Sequence, residues 1–100
     1  MVGTPTGVNG KILLVGDNYD EQVASFLIDR QFAYTSKEKV SCEDIKTANL
    51  KGVGAVFICN VPKGDKRDGI VKFLQEKGLD VYLTNTDVKY IEDAEPIKVE

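Results

Sequence analysis

The sequence predicts an α/β domain, a three-layer sandwich in which a four-stranded parallel sheet of order 2-1-3-4 carries helices on both faces. Two near-continuous apolar runs, ILLV within residues 11–16 and AVFIC within residues 53–59, suit strands that are covered on both sides. Between and after these runs the period becomes helical. Val23, Phe26, Leu27 and Arg30 share one stripe, and Ile70, Phe73, Leu74 and Lys77 share another. Strand and helix thus alternate, and right-handed crossovers between them make neighbouring strands parallel. The two most apolar strands belong in the middle.

In chain order, residues 1–10 form an N-terminal arm of Gly, Thr and Pro without periodicity. Lys11 to Gly16 is a central strand. Gly16, Asp17 and Asn18 end it, with Asp17 or Asn18 expected to cap the next helix and Asp20 and Glu21 favouring its positive end. Phe32 to Val40 reads as a short edge strand, because Lys37, Glu38 and Lys39 discourage pairing at an open edge. Ser41 and Asp44 have capping-box spacing, with Asp in place of Glu or Gln. Ile45, Ala48 and Leu50 then supply the buried face of a short helix that Gly52 ends. After the third strand, Asn60 to Gly64 is turn chemistry, a helix opens at Asp65, and Gly78 stands where a left-handed C-cap is wanted. Asp80 to Thr84 alternates as a less buried strand. Residues 85–87 form a polar turn, 88–94 a short last helix stopped before Pro96, and 95–100 a tail with too few apolar groups to anchor itself. The expected organisation is one domain over residues 11–94 between two terminal arms.

Composition narrows the function classes. Apolar residues make up 42% and charged residues 29%, which marks a globular chain. The net charge of -3, with no run of Lys or Arg, argues against nucleic-acid or anionic-membrane binding driven by charge. No stretch is long and apolar enough to span a bilayer, and residues 1–10 lack a signal-peptide core. The expected location is the cytoplasm, or an assembly formed there. The chain has no His, which excludes a Ser-His or Cys-His nucleophile pair and a histidine-ligated metal. Cys42 and Cys59 have no metal-type spacing. No cofactor is called for.

Sheets of this kind bind ligands beyond the C-terminal ends of their strands, where the strand order reverses. That edge supplies Asp17, Asn18, Asn60, Lys63, Gly64, Thr84 and Asn85 as candidate ligand-binding residues. Asp17 with Asp20 has the oxygen ligands for Mg²⁺, although such residues more often cap a helix. The run Pro62 to Arg67 offers amides and cations to a phosphate, but it has neither a GxxxxGK[ST] loop nor a dinucleotide fingerprint, and a solvated loop is the favoured reading. Cys59, inside an apolar strand, is a poor reactive thiol.

The runs ILLVGDN and AVFICNVPKGDKRDGIVKFLQEKGLDVYLTNT resemble the receiver domain of two-component response regulators. Pro62, Gly64, Asp68 and Gly69 match that family's loop and helix start after the third strand. Thr84 or Thr86 matches the hydroxyl residue that ends its fourth strand. The likeness covers residues 11–86 and implies a flavodoxin-like fold. It departs from the family where the phosphorylation chemistry lies. Gly16-Asp17 stands in place of an acidic pair. The acceptor slot, four residues before Pro62, is Ile58, or Asn60 if the alignment slips, and neither forms an acyl phosphate. The sequence also stops before a fifth strand with its Lys. The resemblance therefore implies a degenerate, non-phosphorylated receiver. NGKILLVGD and DVYLTNTDVKYIED are also similar to the first and last segments of a BRCT domain, without its glycine pair or its final Trp. The expectation is a non-catalytic interaction or assembly module that binds a protein partner or itself. A domain binding a small molecule, nucleotide or other small anionic ligand at the sheet edge is the alternative.

Overall fold

The computed structural model describes residues 6–8, 10–87 and 95–100. Its centre is set by the two apolar runs. Strand β2 (Lys11–Val15) and strand β5 (Val53–Cys59) pair in parallel, Leu13 beside Val56 and Leu14 beside Phe57. Alternation sends their side chains to two separate cores. Leu13, Val15, Val56 and Ile58 meet Ile70 and Leu74 of helix α2 (Asp65–Glu76) on one face. Ile12, Leu14, Phe57 and Cys59 meet Ala24 and Ile28 of helix α1 (Glu21–Asp29) on the other. Both faces are covered, which is why neither strand has a polar side. Phe57 is fully buried, stacked on Tyr82 and met edge-on by Phe32.

The expected sheet of four parallel strands in the order 2-1-3-4 is corrected to a mixed sheet of five. Between β1 (Thr6–Gly7) and the end of the chain lie β3 (Phe32–Ala33), β4 (Lys37–Val40), β6 (Asp80–Thr84) and β7 (Ile97–Lys98). The main sheet runs β4-β2-β5-β6-β7, and β7 is antiparallel to β6. The tail thus anchors through its backbone, the Val99 N–H donating to the Val81 carbonyl at 2.8 Å, and through the Val99 side chain, which packs against the α2-side core. The N-terminal arm is likewise docked in part. β1 pairs in parallel with β3, and the Val8 side chain packs on the α1-side core. Residues 32–40 hold two short strands rather than one, because the β1 pairing takes Phe32–Ala33 while β2 takes Lys37–Val40.

Three further expectations change. Asp20, not Asp17 or Asn18, caps α1, its Oδ1 accepting from the Gln22 and Val23 amides at 3.0 and 3.1 Å. Phe26 lies on the solvent side of α1, 53% exposed, with the Arg30 guanidinium over its ring. The short helix before Gly52 is a single 3₁₀ turn, Ile45–Thr47. The Ser41 hydroxyl does accept from the Asp44 amide, but Ala48 is already extended and Asn49 turns the chain by accepting from the Lys51 amide. At the end of α2, Gly78 takes the left-handed conformation expected of it, with φ 79°. The last helix expected over 88–94 lies outside the described residues. Among the described residues, no helix is long and apolar enough to cross a membrane.

Candidate functional site

The strand order reverses between β2 and β5, and the crevice expected at their C-terminal ends is filled by the protein itself. β5 is followed by Asn60, whose φ of 55° is a left-handed conformation that Asn tolerates. That turn lets the Asn60 N–H donate to the Thr84 carbonyl at 3.0 Å. It also aims the carboxamide across the sheet end. Asn60 Nδ2 donates to Thr86 Oγ1 at 2.8 Å and to the Asn18 carbonyl at 3.4 Å, while Asn60 Oδ1 accepts from the Thr86 N–H at 2.7 Å. Thr86 Oγ1 accepts in addition from the Asp20 N–H at 3.1 Å. One amide and one hydroxyl thus tie together the segments after β2, β5 and β6. Beside them the Tyr19 ring lies against Gly16. A Cβ at Gly16 would come within 2.6 Å of the Cys59 carbonyl and 2.8 Å of that ring, so only glycine permits the approach. Burial lifts the Tyr19 phenol to about 12, with Cys59 and Glu21 adding to the effect.

Asp17 makes no hydrogen bond to this knot among the described residues. Its Oδ1 accepts from the Cys42 N–H at 3.1 Å, and its Oδ2 faces Lys66 Nζ at 3.4 Å. The Cys42 amide, with Lys66, holds its carboxyl below the ordinary value of 3.8. Burial pushes the Cys42 thiol up, and the Asp17 charge adds to this. Burial, then Cys42, pushes Cys59 up to about 12. Both thiols are protonated at neutral pH and are poor nucleophiles. Asp17 and Asp20 are engaged by different amides, and among the described residues no three His, Cys, Asp or Glu side chains gather as a metal site.

A cleft of about 580 Å³ opens next to the crevice, over the C-terminal ends of β5 and β6. It draws together four of the expected residues, Asn60, Lys63, Thr84 and Asn85; Asp17, Asn18 and Gly64 do not line it. Gly64 is the N-cap of α2 and has no side chain to cap with. Asn85 Oδ1 accepts from the Asp87 N–H at 2.8 Å and shapes the turn after β6. Thr84 is the register partner of Cys59, and alternation with Leu83 puts its side chain on the α1 face; its hydroxyl has no hydrogen-bond partner among the described residues.

Two further cleft residues are Arg67, which the sequence offers only within the run Pro62 to Arg67, and Ile97, which it leaves in the tail. Arg67 reaches the cleft from the first turn of α2, with its Nη1 3.4 Å from the Val61 carbonyl, and Ile97 reaches it from β7. Lys63 lies in the loop before α2 and Arg67 in its first turn, and both line the cleft. The sequence places Thr86 in the polar turn after the last parallel strand, and its hydrogen bond to Asp20 spans 66 positions in sequence, beyond any local pattern. Comparison with protein-family models, with curated proteins and with solved structures finds no match.

Proposed function

We propose that this protein is a non-catalytic interaction module with a degenerate receiver-like fold, acting by binding a protein partner or a second copy of itself. The observation that carries the reading is the filled crevice. In open α/β sheets the ligand occupies the point where strand order reverses, and here Asn60, Thr86 and Tyr19 occupy it. Two further features support it. Ile58, at the acceptor slot of the receiver resemblance, is 1% exposed and packed in the α2-side core. Asn60, the slipped alternative, has its carboxamide engaged with Thr86 and Asn18.

A small anionic ligand is the second reading, favoured by Lys63 and Arg67 in the open cleft. The carboxylates of Asp87 and Glu95 line the same cleft and oppose a simple anion. Sedimentation velocity over a range of concentrations, with thermal melts in nucleotide and Mg²⁺, separates the two. The interaction module gives a mass above the 11.0 kDa chain that rises with concentration, and a melting temperature that nucleotide leaves unmoved. A strict monomer stabilised by nucleotide or Mg²⁺ overturns it.

A further inference from the structure

The open cleft has an apolar floor and two unlike walls. Leu83 and Ile97 form the floor over the buried Ile58, and Ile97 keeps 68% of its surface exposed. Lys63 and Arg67 stand on the side of the β5–α2 connection. Asp87 and Glu95 come from the other side, after β6 and before β7. Ion pairs elsewhere hold Lys11, Lys37, Lys39, Lys66 and Lys98, yet none of these four charges has an ionic partner among the described residues. Charges sorted by sign across an apolar floor are a recognition pattern, because a partner with the complementary order is favoured and a like-charged one is repelled.

The adjacent sheet edge adds a backbone contact. β7 is the last strand of the sheet. Since the Val99 N–H points to Val81, antiparallel alternation turns the N–H and C=O of Lys98 outward. The opposite edge, β4, is guarded by Lys37, Glu38 and Lys39, whose lysines are tied to Asp29 and Glu21 of α1 and whose Glu38 is tied to Lys11. Of the two edges of the main sheet, the β7 edge lies beside the apolar floor of the cleft among the described residues.

We propose that this cleft docks an extended peptide segment of a partner protein, in which an apolar side chain is flanked at alternate positions by one acidic and one basic residue. The apolar side chain rests on Leu83 and Ile97. The acid faces Lys63 and Arg67, the base faces Asp87 and Glu95, and the peptide backbone pairs with Lys98 as an added strand. A simple anion would use only the cationic wall. A free amino acid would leave the Lys98 edge unpaired. This proposal rests on the interaction-module reading and names the chemistry of its partner.

The probe is the blocked peptide acetyl-Glu-Thr-Leu-Thr-Lys-amide, titrated into ¹⁵N-labelled full-length protein and followed by amide shifts. Saturable shifts are expected at Arg67, Ile97 and Lys98, with Glu38 and Lys39 unmoved. Versions with Lys at both ends or Glu at both ends should bind at least about tenfold more weakly. Arg67→Glu, at a position without an ion pair among the described residues, should make the version with two Lys residues the tightest. Absence of saturable shifts at these amides overturns the proposal, as does an equal response to free leucine or to inorganic phosphate. If the peptide fails while sedimentation still shows association, the cleft is not the docking surface and the module reading stands. Failure of both sinks both.

Discussion

The crevice between β2 and β5 and the cleft over β5 and β6 lie side by side at one end of the sheet, and their polar groups are used in opposite ways. In the crevice, Asn60 and Thr86 satisfy each other and draw in Asn18 and Asp20. In the cleft, Lys63, Arg67, Asp87 and Glu95 share the lining with Ile97, without an ion pair among them or to any described residue. Asn60 belongs to both, with its amide directed into the first. A buried polar group without a partner is costly, so a closed crevice needs a fully satisfied network. Exposed charges carry no such demand and remain available to a partner. Residue type alone therefore does not mark a binding site; what matters is whether the fold has already used the group.

Both places hang on β5, and removing its largest buried side chain should damage both at once. Phe57→Ala is expected to cost about 3–5 kcal/mol in denaturant melts, because the ring is fully buried and stacked on Tyr82. A loss below about 1 kcal/mol would mean that β5 does not support this end of the sheet. Thr86→Val keeps the side-chain shape and deletes the hydroxyl that accepts from Asp20 and Asn60. It leaves two donors unanswered and should cost about 1–3 kcal/mol. A neutral result would make the crevice as loosely held as the cleft.

The smallest expected effect concerns pH. Asp17 has its carboxyl held below 3.8 by the Cys42 amide and Lys66, so its contribution to stability is present above that value and is lost as pH falls through the lower, folded-state pKa. Acid titration followed by circular dichroism should show wild type and Asp17→Asn converging at the acid end. A gap that widens on acidification would reverse the sign of this effect.

Much of the framework was legible in the sequence. β2 and β5 are recognisable because strands covered on both faces leave continuous apolar runs, and α1 and α2 because each has an apolar stripe. The two-residue strands β1 and β7 were not legible, since their pairing is a backbone event that leaves no side-chain period. The 3₁₀ turn at Ile45–Thr47 shows a capping signal without a helix to follow, because Ala48 leaves helical space at once. At the site, the sequence places Asn60 and Asn18 at one sheet edge as candidates for binding a ligand, and the fold bonds the Asn60 amide to the Asn18 carbonyl. Whether they would be free or bonded to each other depended on Thr86, which only the fold brings to them.

The contrast between crevice and cleft is tested most directly by one experiment run on two pairs, a double-mutant cycle in urea. Asn60→Ala with Thr86→Val probes the crevice, and Lys63→Ala with Asp87→Ala probes the cleft. A coupling of about 1–2 kcal/mol is predicted between Asn60 and Thr86, and less than about 0.3 kcal/mol between Lys63 and Asp87. Equal couplings, or a larger one across the cleft, would show that the cleft charges hold the fold together and would contradict their role in receiving a partner.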